Sequence, residues 1–146
     1  MDENDPINDD EFVLRRVVNL PDYYDPTLPA PTRTNAFRPT DDDLTGISVY
    51  REAFVSAEAV ARAGGSEKGY YVARLPVAGI RALGLTVTPD PQPDLLPGHS
   101  LVPEINCIRY KIAVEKKRIK PLQERLARLA DANIVLGPDG YERNPV

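Results

Sequence analysis

Residues 46–52 (GISVYRE) alternate, with Ile47 and Val49 directed to one side and Ser48 and Tyr50 to the other, the period of a strand buried on one face. A run of β-branched and apolar residues at 12–18 (FVLRRVV) and a second alternation at 69–75 (GYYVARL) predict two further strands. Ser56 ahead of AEAVARA, with Gly64 and Gly65 behind it, supplies the start and stop of a short helix. Pro76 suits the first position of a helical turn over VAGIRAL that Gly84 ends, and 85–88 (LTVT) then predicts a short strand. Further on, 105–113 (INCIRYKIA) reads as a strand and 121–132 (PLQERLARLADA) as a helix with Leu122, Leu126, Leu129 and Ala130 on one face. Lys120 precedes a proline and so disfavours helical geometry, which makes any helix over 115–119 kinked or separate. Residues 134–143 (IVLGPDGYER) predict a hairpin turning at Pro138, Asp139 and Gly140. The expected fold is α+β: a small mixed sheet, two short helices, a longer C-terminal helix and two long proline-rich loops.

Those loops carry the one compositional anomaly. Fifteen prolines make up about 10% of 146 residues, against a typical ~5%. They cluster at 21–39 and 89–103, where fixed φ and missing donors favour extended loops over regular elements. Tyr23, Tyr24, Leu28 and Phe37 are the side chains available to dock the first loop. The length suits one domain, taken as 12–146. Residues 1–11 hold six carboxylates, no basic residue and one isoleucine, so they are expected to form a disordered acidic arm with little to bury. No apolar run reaches membrane-spanning length, one cysteine leaves no internal disulfide, and no secretory pattern is evident, so a cytoplasmic protein is expected.

Candidate chemistry begins with His99, the only histidine, in the loop sequence GHSLVPE. Imidazole alone among unperturbed side chains exchanges protons near neutral pH, and Glu104, five residues on, would orient it or act as a second acid or base. Its plainer role is to pin the loop through a backbone carbonyl. Ser48 and Tyr50 emerge on one strand face and would hold a phosphate or ribose; the same face would equally serve as packing beneath the 21–39 loop. One histidine and one cysteine leave no zinc spacing, Asp41 to Asp43 fit a solvated turn better than a cation site, and Gly64-Gly65 closes a helix instead of opening one on a phosphate. Neither a metal nor another cofactor is implied.

The clearest electrostatic feature is a basic stretch that includes Arg109, Lys111, Lys116, Lys117, Arg118 and Lys120. Such a stretch would contact a nucleic-acid backbone, whose recognition needs positive charge and little sequence-specific geometry, or dock an acidic partner. FRPTDDDLTGISVYRE from Phe37, together with GHSLVPEIN from Gly98, resembles a pattern in short uncharacterised bacterial proteins over roughly residues 12–136. The resemblance implies a bacterial cytosolic origin and transfers no catalytic residue. Arg15 and Arg16, Ser48 and Glu104 also follow the arginine, serine, glutamate order of ADP-ribosyltransferase-like toxins, a looser resemblance. The expected function is a non-enzymatic protein-interaction or regulatory module. The alternative is a small enzyme directed at nucleotides or nucleic acid and using His99 and Glu104, of the ADP-ribosyltransferase or nuclease kind.

Overall fold

The structure is a computed structural model and describes residues 1–140. Its centre is a six-stranded sheet in which β1 (Phe12–Val18) lies between β2 (Ile47–Arg51) and β3 (Tyr70–Pro76). Beyond β2 come β5 (His99–Val102) and then β4 (Thr88–Pro89), and beyond β3 comes β6 (Ile134–Leu136). Every pairing is antiparallel, so the sheet is not the mixed one expected. The reason is topological: β2 and β3, joined through a helix, do not pair with each other, because β1 is inserted between them.

The strand alternation sorts the two faces. Val13, Val17, Ile47, Val49, Ala73, Leu75 and Val102 are buried in one cluster with Val77 and Ile80 of α2 (Val77–Ala82) and with Ile119, Leu126, Ala127 and Ala130 of α4 (Ala113–Asp131). On the opposite face Leu14, Tyr50 and Val72 pack with Leu136 and with Val60 of α1 (Ala57–Arg62). The predicted cap of α1 is present, the Ser56 side chain accepting from the Ala59 N–H at 3.2 Å. Pro76 ends β3 and occupies the cap position of α2, one residue earlier than expected.

The proline-rich segment 21–39 is tied to α4 by polar groups as well as by its aromatics. Thr32 N–H donates to Asp131 Oδ1 at 2.8 Å, Thr34 Oγ1 to Glu124 Oε2 at 2.7 Å, and Gln123 Nε2 to the Phe37 carbonyl at 2.9 Å, while Arg128 donates to the Thr32 carbonyl. Phe37 is fully buried, and Tyr23 and Tyr24 pack on the core, but Leu28 stays 39% exposed.

Several boundaries differ from the sequence reading. The strand expected at 105–113 is instead α3 (Cys107–Tyr110), a short turn of helix. Asn106 starts it by accepting from the Arg109 N–H at 2.9 Å, a cap that competes with extended backbone. The strand in this region lies earlier, at His99–Val102, inside the supposed loop. The strand expected at 85–88 shrinks to Thr88–Pro89, although Leu85 and Val87 are buried. Helix α4 begins at Ala113 and runs through Pro121. Proline removes one helical donor, and both Pro121 and Lys117, whose carbonyl loses that donor, are exposed. The buried stripe Ile119, Gln123, Leu126, Ala127, Ala130 continues across it at helical spacing and offsets the loss. The turn at 137–140 closes with Gly140 N–H on the Gly137 carbonyl at 3.1 Å; the returning arm of the expected hairpin lies outside the described residues.

Residues 1–11 lie against the domain and are not a detached arm. Ile7 is 4% exposed, and Arg81 binds Asp9 Oδ1 at 2.6 Å and the Ile7 carbonyl at 2.7 Å. The main anchor is Arg51, whose side chain is 0% exposed. Glu11 accepts from its Nε and Nη2 at 2.9 Å each, the Glu3 and Asp5 carbonyls accept from Nη1 at 3.2 and 2.9 Å, and Met1 Sδ lies 3.4 Å from Nη2.

Removing Glu11 leaves a buried charge uncompensated, so Glu11→Ala should destabilise the fold by about 3–5 kcal/mol in urea unfolding at pH 7. Burial by itself raises the Glu11 pKa, but the hydrogen bond from Arg51, then that from the Asn8 N–H, outweigh it and hold the carboxyl below its ordinary value. A lowered folded pKa contributes stability that is present above the ordinary glutamate range and is lost as pH falls through the lowered value. The wild type should therefore lose stability as pH falls below the ordinary glutamate range, a loss that Glu11→Ala lacks. Equal stability of the two proteins at pH 7 would contradict the docked arm.

Candidate functional site

β1 and β2 pair only at Val13↔Arg51 and Leu14↔Tyr50. Past those residues the strands part, and the side chain of Arg15 spans the opening. Its Nε donates to the Ala36 carbonyl at 2.9 Å and its Nη1 to the Ser48 carbonyl at 2.7 Å, the latter a β2 acceptor that a continued ladder would have served. The opening is a cavity of about 300 Å³ with Arg15, Arg16, Arg38, Asp43, Ser48 and Tyr50 in its wall.

The cavity is electropositive. Burial lowers the Arg15 pKa to about 10, with Asp43 acting against the shift and Arg16 adding to it, so the guanidinium stays charged at neutral pH. Arg16 donates through Nη1 to the Val60 carbonyl at 2.9 Å and lies over the rings of Tyr50 and Tyr70, 5.6 and 5.8 Å from their centroids. Arg38 is exposed and stacks on Tyr110 at 5.5 Å. Among the described residues the wall holds one carboxylate, Asp43, which accepts from Thr40 N–H at 2.7 Å and Thr40 Oγ1 at 3.1 Å. Three guanidinium groups against one carboxylate suit an oxyanion, since the guanidinium fork matches phosphate and carboxylate.

Ser48 forms the end of a second arrangement that reaches into the sheet. The pairing Tyr50↔His99 and Ser48↔Leu101 puts Ser48 and His99 diagonally on one face, and Ser48 Oγ lies 2.9 Å from His99 Nε2. On the ring's other side Nδ1 lies 2.8 Å from the Asp90 carbonyl and 3.1 Å from Asp90 Oδ2. Both partners of Nδ1 are acceptors, so Nδ1 carries the proton. In the neutral ring Nε2 is then the acceptor, and the Ser48 hydroxyl donates to it. His99 is 4% exposed, with Tyr50 edge-on at 5.4 Å.

Of the residues singled out in the sequence, Arg16, Ser48 and Tyr50 share the cavity wall, and His99 stands behind Ser48. Glu104 does not join them: its carboxylate accepts from Thr86 N–H at 2.9 Å and Thr86 Oγ1 at 2.5 Å. The carboxylate at His99 is Asp90. That residue passed unnoticed because 89–103 read as a loop; once His99 is in a strand, the register Pro89↔Ser100 sets Asp90 beside it. Arg38 also went unassigned, and Asp43, read as part of a solvated turn, lines the cavity, since only the folded loops bring them to the strands.

The basic stretch divides. Arg109 is held by Glu115 Oε2 at 2.8 Å and by the Glu104 carbonyl at 2.8 Å, Arg118 pairs with Glu115 at 3.4 Å, and Lys111 with Asp41 at 3.3 Å. Lys116, Lys117 and Lys120 instead line a second cavity of about 580 Å³ together with Arg38 and Tyr110. Among the described residues no cluster of three His, Cys, Asp or Glu side chains is placed to hold a metal, and no helix is long and apolar enough to cross a membrane. No family model, curated protein or solved structure matches the chain.

With a single histidine in the chain, its tautomer can be read directly by 15N NMR. The expected spectrum shows Nδ1 protonated and Nε2 unprotonated at neutral pH, and Ser48→Ala should shift Nε2 while leaving Nδ1 protonated. An Nε2-protonated ring would contradict the hydrogen-bond order given above.

Proposed function

We propose that this chain works by binding, as a regulatory or accessory module of a bacterial cytosolic system, and that it recognises a ligand of the nucleotide class carrying more than one phosphate. The observation that carries this reading is the shared wall of the two basic cavities. Asn35 and Arg38 line both, so the inner site of Arg15 and Arg16 and the outer site of Lys116, Lys117 and Lys120 lie along one continuous surface. A single anion would need only the inner site. Cationic groups in succession suit phosphates in succession, and Tyr110, already stacked by Arg38 and lying 4.9 Å from Lys116 Nζ, offers a ring at the outer end.

Titration of the full chain with ADP and with inorganic pyrophosphate tests this. Both should bind at low salt and weaken as salt screens the exposed lysines. A gain for ADP over pyrophosphate would assign the base to the tyrosine. Arg38→Ala removes the group common to both cavities and should weaken binding about tenfold, the equivalent of one charged hydrogen bond at its lower range. A short RNA competing for the same residues would extend the ligand to nucleic acid. Absence of binding by both small probes at low salt, or binding indifferent to Arg38→Ala and to Lys117→Ala, would overturn the reading.

A further inference from the structure

Ser48 lies where an anion site meets a proton acceptor, and binding alone needs no such acceptor. We propose that Ser48 is the nucleophile of an acyl transfer, with His99 as its general base, acting on an ester whose acyl or alcohol part carries the anionic group that the arginines hold. The proposal goes beyond recognition and takes from the preceding reading only the anion site.

Three placements carry it. Ser48 lines the same cavity as Arg15 and Arg16 and is only partly buried. Its Oγ lies 2.9 Å from His99 Nε2, within the range required of a general base. The imidazole is fixed from behind by the carbonyl and carboxylate of Asp90 and is almost wholly shielded from water. A pin for the proline-rich loop needs only the contact between Nδ1 and Asp90. It does not require the opposite nitrogen to meet a hydroxyl at the edge of an arginine-lined cavity. Serine, histidine and aspartate in these roles are recognised by geometry and not by their place in the chain.

In the first step the Ser48 O–C bond forms as its proton passes to Nε2, the ester C–O bond breaks, and that proton leaves on the alcohol. In the second step water attacks the acyl-serine, Nε2 takes the water proton, and the acid departs while Ser48 regains its hydrogen. Asp90 is a positioning residue: it holds the tautomer in which Nε2 is open to accept.

A neutral fluorophosphonate is the direct probe, because it reports the nucleophile without requiring the anion site. The Ser48 O–P bond would form and P–F break, with fluoride leaving and the proton taken by His99. Intact mass and peptide mapping should show one adduct, on Ser48, absent in Ser48→Ala. His99→Gln should slow labelling by about 10²- to 10⁴-fold. Since His99 is buried and that variant can fail to fold, Asp90→Asn serves as the second: it should slow labelling and displace the pH dependence of the rate, which loss of a loop contact alone would not do. A p-nitrophenyl ester with a carboxylate on its acyl chain should be cleaved faster than the acetate, and Arg16→Ala should erase that preference. No adduct on Ser48 in the wild type, or one formed at an unchanged rate in Asp90→Asn, would overturn the proposal. Pyrophosphate binding persisting in that case would show that recognition stands and the nucleophile does not.

Discussion

The structure depends on a guanidinium with no exposure to water. An arginine presents five N–H donors, and those of Arg51 meet five acceptors, all contributed by residues 1–11. A buried ion pair is no more stabilising than a well-packed apolar core of the same volume, but one with a member missing is costly, so the first eleven residues and β2 form together or not at all. The consequences spread along the sheet. Glu11 precedes β1 directly, and its grip on Arg51 sets the pair Val13↔Arg51 and with it the register of the two inner strands. Gly98 is drawn in as well, its N–H donating to Glu3 Oε1 at 2.6 Å while its carbonyl accepts from the Arg51 N–H at 2.9 Å. Its φ of 81° is open to glycine, and an added Cβ there would lie 3.0 Å from the Arg51 carbonyl. His99 follows at once, so the arm also determines where the imidazole stands.

At the other end of the same two strands an arginine does the opposite. Arg15 takes over backbone acceptors where β1 leaves β2, which lets a sheet end in a cavity without leaving Ser48 and Ala36 carbonyls unserved. Burying a cation there costs solvation, expressed in its lowered pKa. Such a cation gains from any anion that enters. The sheet is therefore closed by one arginine and held open by another, and the open end carries the serine, the tyrosine and the remaining arginines.

Strands β1, β2 and β3 and the capped helix α1 were legible because each is specified locally, by alternation or by a serine placed ahead of a helical run. The same alternation placed Ser48 and Tyr50 on one face, where they are. What escaped notice depended on partners far along the chain. Residues 1–11 look able to bury little if only apolar side chains are counted; besides Ile7, which joins the core, their contribution is carbonyls and a carboxylate that a distant arginine requires. β5 is four residues long among prolines and glycine, and becomes a strand because β2 offers an edge. Asp90 was invisible for the same reason, while Glu104 drew attention by nearness in sequence and is committed to Thr86. Helix α4 crosses a proline because its buried stripe outweighs one lost hydrogen bond, a balance that the rule for residues before proline does not contain.

The central claim is that the opening between β1 and β2 is an anion site formed by Arg15, Arg16 and Arg38. A crystal structure of the full chain grown with tungstate, a phosphate analogue visible by anomalous scattering, tests it most directly. The expected result is a peak within hydrogen-bond reach of those guanidinium groups, with the Ser48 to His99 contact intact. Tungstate bound elsewhere on the surface while this opening holds none, or arginines turned away to close it, would contradict the account.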